Sequence, residues 1–563
     1  MSRKTWLLVL LIIPAMILSA CGGAKTETPV VQGTEVPTTK TPVIVRVGYA
    51  GSPDTLNPTA GILSEAWTMY GLVYSSIYMP QYDNSFKLDI ADSVTPSADN
   101  MSYTIKIKPN VMFHDGTPLT AKDVAFSLNF YREGVDFPYM NGYTTSFADA
   151  VAQDDSTVIL TMNTPVPNID YLLAYLYILP EHIWSAHTGA AAMEFDNAAM
   201  IGSGPFKMVD YAQGEFVHLA ANPDYYGTKP LVDEVVFQTF SNEDALVQAI
   251  KTGQVDMITE FPLTALATLT STDNVKVVSG PGLAPDLNDI IINQVSADNC
   301  PVADGGLCTG HPALQDVVVR QALAHATDKQ QLVDIVLLGE GTPGLTLIPD
   351  ALIPWFNTSI QDYTYDVAAA NQMLETAGYK DVDGDGVREM PDGTTKLEFR
   401  FNWPSDSTVA PRAAEMISNM WGDIGVKLQL QALDPDALTS ICCPAFDYDI
   451  MFWGWGSDPD PSFLLSVMLT DQIPTGMNET GFSDATFDDL YIQQGQQLDK
   501  ETRKSEIWQM QQIVFDKVAY IIPFYTNAVQ AYRTDTFTGW ITDQPKLELQ
   551  NVLSLVAVEP IKK

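Results

Sequence analysis

The amino-acid sequence predicts an α/β protein in which helices pack against a sheet. The chain has 563 residues, enough for several domains of about 100–200 residues each. Apolar and polar residues alternate over 103–107, which is typical of a half-exposed strand. In 366–377 the apolar side chains form one helical stripe, and Gly378 is placed to end that helix. Strand and helix patterns of these two kinds alternate along the chain, which favours a sheet covered by helices.

The composition favours a soluble, exposed protein with a large core. Hydrophobic residues make up 46% of the chain and charged residues 18%, and the formal net charge is −39. Nucleic acid is excluded as a partner, because binding a polyanion requires clustered Lys and Arg. The acidity is interpreted as a means of solubility, with attraction of cationic ligands into a cleft as the alternative.

The N-terminus has the features of a secretory signal peptide. Arg3 and Lys4 precede an apolar run over 6–17, and small residues follow before Cys21. The apolar segment is shorter than the roughly 20 residues that a membrane span needs. Residues 1–20 are therefore predicted to be removed from the mature protein.

The sequence LSAC at 18–21 resembles a bacterial lipobox. The resemblance implies cleavage before Cys21 and a diacylglycerol on its sulfur, and further acylation would make the attachment stable. An ordinary signal peptide with a chance cysteine is the alternative. Residues 21–42, which are rich in Gly, Thr and Pro, are predicted to form a flexible linker between this lipid anchor and the folded body. The predicted location is the extracytoplasmic face of the bacterial cell membrane, periplasmic or at the cell surface.

Four further cysteines favour disulfides, since an even number outside the cytoplasm is usually paired. Cys300 and Cys308 bracket a Gly-rich loop, where a local disulfide is predicted. Cys442 and Cys443 are adjacent, so a vicinal disulfide, two thiols and a crossed pairing all stay open. Zinc is disfavoured because no histidine lies at ligand spacing from either pair.

One block of sequence carries most of the information about function. It is the alternating strand at 102–108 followed by FHDGTPLTAKDV at 113–124, in which Thr120 and Asp123 have the spacing of a helix capping box. In this block the chain resembles extracellular solute-binding protein family 5, the oligopeptide-, dipeptide- and nickel-binding type. Further blocks with the order and spacing of that family extend the resemblance over about 43–532. They are GSGPF (202–206), NPDYY (222–226), GQVD (253–256), VRQAL (319–323), TDK (327–329), GWGSDPDP (454–461) and IPFY (522–525).

The resemblance implies a periplasmic-binding-protein-like fold of type II, cluster C. This fold is an α/β clamp of two lobes with an extra inserted domain, and its lobes close around a ligand. Lobe I is predicted to be discontinuous and to comprise 43–86, 200–283 and 526–563. The inserted domain is predicted over 87–199 and lobe II over 284–525.

The resemblance also implies the function of a substrate-binding component of an ABC importer. Such a protein captures oligopeptides or dipeptides as a monomer and passes them to permease subunits with their ATPases. It requires no cofactor and is not an enzyme. A non-peptide ligand, either an oligosaccharide or a nickel complex, is the first alternative, and a sensor or adhesin with the same clamp is another. A secreted peptidase is disfavoured, because the chain contains neither His-Glu-x-x-His nor Gly-x-Ser-x-Gly.

Candidate ligand contacts follow mainly from the Gly-Trp loop at 454–461. In the family, an Asp three residues after a Trp meets the α-ammonium of a peptide, and the matching residue here is Asp458, three after Trp455. A turn cap is the alternative for Asp458. Trp453 and Trp455 share one face of the predicted strand and are candidates for ligand contact or for the core. Ser52 lies in a loop where family members offer backbone contacts.

The cation for the ligand's carboxylate stays open among Arg320, Arg400 and Arg412. Of these three, Arg320 is the one that better suits a structural role.

An acidic, Gly-rich segment matches the opening of a calcium-binding loop. A hard cation takes about six to eight oxygen ligands, and glycine allows the sharp turn. The predicted ligands are Asp381, Asp383, Asp385, Val387, Glu389 and Asp392. The last of them stands where a bidentate Glu is usual, Pro391 precedes it, and a strand pattern follows. An acidic connector between a helix and a strand is therefore the alternative, and any bound calcium would be structural.

Overall fold

The computed structural model describes residues 41–562. The predicted signal peptide, the lipidation site at Cys21 and nearly all of the predicted linker lie outside the described residues, so these predictions stay predictions. Within 41–562, no helix is both long enough and apolar enough to cross a membrane.

Eleven strands of the described region form one sheet that extends through both lobes. One of them, Gly341–Pro343, pairs only with Tyr520–Arg533 at the side of the main path. The other ten follow one another in the order Lys427–Leu433, Glu398–Pro404, Ile450–Gly456, Val275–Ile292, Tyr520–Arg533, Met257–Ile258, Ile44–Tyr49, Glu234–Thr239, Phe216–Ala221 and Phe206–Ala212. Parallel and antiparallel neighbours are mixed, as is common in large sheets covered by helices.

Two long antiparallel strands, Val275–Ile292 and Tyr520–Arg533, cross from one lobe to the other. Their register is interrupted between Pro281 and Asp286, so that residues 282–285 have no partner on the neighbouring strand. An interruption of this kind bends a strand and weakens its ladder locally. We name residues 282–285 the hinge segment, because the ladder between the two crossing strands is interrupted there.

A separate antiparallel sheet lies beside lobe I. Its strands, in spatial order, are Ala91–Pro96, Ser102–Ile107, Thr157–Met162 and Phe147–Asp154. The helix Ala121–Glu133 packs on this sheet and begins at the predicted capping box of Thr120 and Asp123, which is confirmed. Ile105 of this sheet and Val45 of lobe I belong to one continuous hydrophobic cluster. The small sheet therefore shares the core of lobe I instead of enclosing a core of its own.

The remaining elements are short strands and helices. Tyr78–Pro80 pairs with Phe86–Leu88, and Phe537–Thr538 pairs with Glu559–Pro560. The other helices of the described region are Ser64–Val73, Ile169–Ala174, Glu181–Trp184, Ala190–Met193, Glu243–Thr252, Leu266–Thr270, Val317–His325, Lys329–Val336, Val367–Thr376, Ala410–Gly422, Pro435–Cys442, Ser462–Ser466, Ala485–Gln494, Lys500–Asp516 and Val552–Leu555. Several of them pack on strands of the large sheet, as the alternating sequence patterns predict.

The ends of the helix Val367–Thr376 follow local signals in the sequence. Asp366 caps its N-terminus by accepting the backbone N–H of Ala369 at 2.9 Å. Gly378 follows its C-terminus with a φ of 92°, a conformation that glycine adopts easily because it has no Cβ. The predicted helix and its predicted terminator are both confirmed.

Helices and loops cover both faces of the sheet in lobe II. Ile290 and Ile292 point into one hydrophobic cluster, and Leu287 and Ile291 point into the other, as the two-residue period of a strand requires. Asp289 shares the face of Leu287 and Ile291, and it is fully buried there.

The C-terminal tail packs against lobe I beside the hinge segment. Leu549 belongs to the same hydrophobic cluster as Val45. The ammonium of Lys546 donates a hydrogen bond to the carbonyl of Leu283, at 2.7 Å. The tail therefore contacts the hinge segment.

Two disulfides stand close together in lobe II. The structure joins Cys300 to Cys308 and joins Cys442 to Cys443, the vicinal alternative among those left open by the sequence. The backbone N–H groups of Leu307 and Cys308 both donate to the carbonyl of Ala445. These bonds tie the two Cys-containing loops to each other.

Candidate ligand-binding cleft

Three adjoining cavities form a cleft between the lobes. Their volumes are about 340 Å³ for the first, 390 Å³ for the second and 370 Å³ for the third. Trp67 and Asp458 line both the first and the second cavity, and Trp455 and Gly456 line both the second and the third. The shared lining makes one continuous cleft, and clefts of this kind are the usual sites for small ligands.

Asp458 is a carboxylate in this cleft that has no counter-ion among the described residues. It follows the strand Ile450–Gly456, is half-buried, and accepts the hydroxyl of Tyr171 at 2.9 Å. Among residues 41–562 it forms no ion pair within 4.0 Å. Burial, with a smaller contribution from the charge of Asp460, raises the pKa of Asp458 to about 6, although the hydrogen bond from Tyr171 acts to lower it. An ammonium group in the cleft would supply the missing positive charge.

The turn-capping role that the sequence leaves open for Asp458 is filled by its neighbour Asp460. Asp460 accepts the backbone N–H of Ser462 at 3.0 Å. Asp460 also pairs with the guanidinium of Arg503 at 2.7 and 3.0 Å, and both side chains are buried. No hydrogen bond from the backbone of the described chain reaches the carboxylate of Asp458. The side chain of Asp458 is thus left to face the cleft.

Trp453 and Trp455 lie on the lobe II side of the cleft. Both rings are half-buried and line the third cavity, and Trp455 also lines the second. The indole N–H of Trp455 donates to the carboxylate of Glu479 at 3.2 Å. Its ring meets that of Phe463 edge to face, with centroids 5.9 Å apart. These two contacts fix the orientation of the Trp455 ring at the cleft.

An aromatic wall on the lobe I side faces these tryptophans. Trp67, on the helix Ser64–Val73, makes edge or tilted contacts with Tyr139, Tyr175 and Tyr177 at centroid distances of 6.1–6.4 Å. All four rings line the first or the second cavity. The apolar pattern at 171–179 is typical of buried core, and Tyr177 is buried in the core of lobe I while Tyr175 is half-buried. Both residues also line the first cavity, which the pattern does not predict.

Lys546 and Glu548 bring two charges to the first cavity from the C-terminal tail. Burial lowers the pKa of Lys546 to about 8 and raises the pKa of Glu548 to about 7. Within the described chain the two groups do not form an ion pair, because no nitrogen–oxygen contact between them falls within 4.0 Å. Sequence reasoning missed both, since they belong to no motif.

Two carboxylates, those of the buried Asp289 and the half-buried Glu479, interact beside the tryptophans of the cleft. Both carboxylate oxygens of Asp289 are buried and have no hydrogen-bond partner in the described chain. Burial and the charge of Glu479 raise the pKa of Asp289 well above its ordinary value. Burial raises the pKa of Glu479 to about 7, although Trp455 and Tyr520 both donate to its carboxylate. The pair therefore favours a protonated state near neutral pH.

Asp289→Asn is expected to make the protein less sensitive to alkaline pH. An acid with a raised pKa in the folded state contributes its stability fully below its unfolded pKa, and this contribution is lost as pH rises through the folded pKa. For Glu479 that window runs from about 4.5 to about 7. We expect the free energy of unfolding to fall by on the order of 2 kcal/mol from pH 5 to pH 8, and by less in the variant. Denaturant titrations of the unmodified protein and the variant at pH 5 and pH 8 measure the free energy of unfolding. An equal loss in the two proteins would contradict a raised pKa at Asp289 and Glu479.

A match to a known protein family identifies the class of protein to which this chain belongs. Residues 85–475 match the family described as bacterial extracellular solute-binding proteins, family 5, middle region. The chain belongs to this family of solute-binding proteins. The match covers the small antiparallel sheet, the hinge segment and the Gly-Trp loop with Asp458.

Relatives of this solute-binding protein extend over nearly its whole length. The oligopeptide-binding protein AppA of Bacillus subtilis is 27% identical over 560 residues, which cover 98% of each chain. The crystal structure of the ABC transporter substrate-binding protein CtaP of Listeria monocytogenes has a TM-score of 0.79 at 23% identity and covers 92% of this chain and 100% of its own. The structure of Bacillus subtilis AppA in complex with a nonapeptide has a TM-score of 0.72 at 24% identity, with coverage of 93% and 100%. These similarities establish the two-lobed fold of the solute-binding protein.

Ser52 does not reach the cleft of the solute-binding protein. Its hydroxyl accepts the backbone N–H of Gly214 at 3.1 Å, and it does not line any of the three cavities. The prediction of a ligand contact at Ser52 is therefore not supported by the geometry, because this loop is held against lobe I.

The three candidate arginines also bond elsewhere. Arg320 donates to the carbonyls of Leu314 and Lys517, each at 2.7 Å, as its predicted structural role requires. Arg400 pairs with two aspartates of lobe II, and Arg412 pairs with a glutamate on the exposed face of its own helix. None of the three lines a cavity of the cleft.

Three of the predicted calcium ligands lie together on the surface. Oxygen atoms of Asp381, Asp383 and Asp385 all lie within 4.8 Å of one another. The ammonium of Lys396 is hydrogen-bonded to both Asp383, at 2.8 Å, and Asp385. A bound calcium ion would have to displace this ammonium, so calcium stays a prediction.

The other predicted calcium ligands make different contacts. Val387 uses its backbone N–H to bond Asp385, at 2.9 Å. Glu389 accepts the backbone N–H of Val382 at 2.7 Å. Asp392 accepts two backbone N–H groups that follow it, and these bonds lower its pKa to about 2. The arrangement matches the acidic connector at least as well as a calcium loop.

Proposed function

We propose that this solute-binding protein captures peptides with a free amino terminus and delivers them to the membrane subunits of an ABC importer. The observation that carries the proposal is the position of Asp458, a carboxylate without a counter-ion at the junction of the first and second cavities. A peptide's α-ammonium supplies that counter-ion, while the aromatic wall and the tryptophans offer apolar faces to its side chains.

The size of the charge interaction is sufficient to orient a peptide. Two unit charges 4 Å apart attract by about 4 kcal/mol at an effective dielectric constant near 20. Desolvation of both charges offsets part of this gain. Because burial already raises the pKa of Asp458, much of the desolvation of the carboxylate is present before the ligand enters.

Relatives support a peptide as the ligand. AppA of Bacillus subtilis is named an oligopeptide-binding protein, and its structure holds a nonapeptide. The dipeptide-binding protein of Escherichia coli is 25% identical over 530 residues, which cover 88% of this chain. The resemblance of residues 18–21 to a lipobox, and the linker that follows, support attachment at the outer face of the membrane, where the protein meets the importer.

A panel of ligands tests this function. The mature chain is mixed with free-amine peptides, N-acetylated peptides, oligosaccharides and a nickel–histidine complex, and its thermal unfolding is followed. A ligand at about 100 times its Kd stabilises the folded state by about 2.7 kcal/mol. We expect only free-amine peptides to raise Tm, and chromatography to recover them intact. A rise with a sugar or a nickel complex alone, or hydrolysed peptide, would contradict the proposal.

Affinity for a free-amine peptide is expected to rise about tenfold from pH 5 to pH 7. The pKa of Asp458 is about 6, and only its ionised form attracts an ammonium. The α-ammonium keeps its charge over this range, because its own pKa is about 7.7–8. Calorimetric titrations at pH 5, 6 and 7 measure the change, with Asp458→Asn as the variant in which it disappears. If the affinity of the unmodified protein does not change with pH, Asp458 is not the partner of the α-ammonium.

A further inference from the structure

We infer that the cleft selects peptides whose first residue carries a second cation, held by Glu548 while Asp458 holds the α-ammonium. This inference rests on the proposed function. Both carboxylates line the first cavity, but they come from different lobes. Asp458 belongs to the Gly-Trp loop of lobe II, and Glu548 belongs to the tail that packs on lobe I.

Glu548 lacks a strong partner within the protein. In the described part of the chain it has no ion pair within 4.0 Å. Its carboxylate receives only the amides of Gln550 and Asn551, each at 3.4 Å, which is beyond the usual range for a nitrogen–oxygen hydrogen bond. Burial accordingly raises its pKa to about 7. A ligand cation would satisfy this carboxylate.

The other charged groups of the first cavity are already engaged. Lys546 is buried, and its ammonium donates to the carbonyl of Leu283. Asp89 accepts the hydroxyl of Tyr226 and the backbone N–H of Ser76. The ammonium of Lys546 also acts on the Glu548 carboxylate and lowers its pKa. Three carboxylates, Asp89, Asp458 and Glu548, outnumber this one cation among the described residues that line the first cavity, so the cavity favours a cationic ligand side chain over an acidic one.

Aromatic rings line the same cavity as the two carboxylates. Trp67, Tyr175 and Tyr177 line the same cavity. Tyr175 lines this cavity together with Asp458 and Glu548, and burial and the charges of both carboxylates raise its pKa. The methylene groups of a Lys or Arg side chain pack on such rings, and the cation gains from their negative faces. A basic first residue thus fits the charge and the lining of this cavity.

The experiment compares three tripeptides by calorimetry at pH 7.5: Lys-Ala-Ala, norleucine-Ala-Ala and Glu-Ala-Ala. Norleucine keeps the methylene groups of lysine and removes the cation. We expect Lys-Ala-Ala to bind at least tenfold more tightly than norleucine-Ala-Ala, and Glu-Ala-Ala to bind most weakly. Glu548→Gln should bring the lysine peptide to the level of the norleucine peptide and leave the norleucine peptide unchanged.

Glu559→Gln is the matched control, since Glu559 is an exposed carboxylate of the same tail and lies outside the cavity. It should leave the preference for lysine intact. Equal affinities for the lysine and norleucine peptides in the unmodified protein would overturn the inference and leave the proposed function standing. This comparison does not depend on the folding of any variant. If none of the three peptides binds, both the inference and the proposed function are wrong.

Discussion

Asp458→Asn is expected to weaken binding of a free-amine peptide by about 30-fold or more. Removal of one partner from a buried charge pair costs about 2–5 kcal/mol, largely because the other charge stays desolvated, and 2 kcal/mol corresponds to about 30-fold. Asparagine keeps the size of the side chain and can still accept the hydroxyl of Tyr171. The change in affinity, measured by calorimetry at pH 7, therefore reports the lost charge.

Two controls separate the charge from other effects of this substitution. An N-acetylated form of the same peptide has no ammonium, and Asp458→Asn should change its affinity little. Tyr171→Phe removes one hydrogen bond to the carboxylate but keeps its charge, and it should lower the affinity for the free-amine peptide less than Asp458→Asn does. Equal losses for the free and the acetylated peptide, or no loss for either, would remove Asp458 from the ammonium site.

Arg503→Leu is expected to lower the free energy of unfolding by about 3–5 kcal/mol. Arg503 lies on the helix Lys500–Asp516, where its guanidinium pairs with Asp460 at 2.7 and 3.0 Å, and both side chains are at most 4% exposed. The guanidinium also donates to Gln494 and Ser462. Loss of the guanidinium leaves the Asp460 carboxylate buried without a counter-ion, which is the costly outcome for a buried pair. Urea titration with and without the substitution measures the cost.

A second substitution and an exposed ion pair serve as controls for Arg503. Adding Asp460→Asn to Arg503→Leu removes the unpaired charge and should recover at least 1 kcal/mol, since the penalty comes mainly from that charge. Arg412→Leu breaks a solvent-exposed pair with Glu415 and should cost less than about 1 kcal/mol. If Arg503→Leu lowers the free energy of unfolding no more than Arg412→Leu does, the buried pair of Arg503 and Asp460 does not stabilise the fold as proposed.

Features encoded by neighbouring residues could be predicted from the sequence. The capping box of Thr120 and Asp123 and the glycine after Val367–Thr376 both depend on side chains within one or two turns of a helix. The family blocks gave the two-lobed fold and pointed to Asp458. These signals lie within short segments, so one sequence is enough to find them.

Features that depend on distant segments could not be predicted in the same way. Tyr171 and Asp458 are 287 residues apart and meet only because the lobes face each other. The rings of the aromatic wall come from separate segments, and their sequence pattern is the same as that of buried core. Lys546 and Glu548 lie in a tail with no recognisable motif, and burial alone gives them their properties. The hydrogen bond between Ser52 and Gly214 joins residues 162 positions apart, so no local pattern could predict it.

The central claim is that the cleft between the lobes grips a peptide by its amino terminus. A crystal structure of the mature protein with bound Lys-Ala-Ala tests it most directly. The account predicts electron density for the peptide between Trp67 and Trp455, with the peptide's terminal nitrogen within hydrogen-bond distance of the Asp458 carboxylate. Density for the peptide outside the cleft, or inside it with the terminal nitrogen bonded to a different group, would contradict the account.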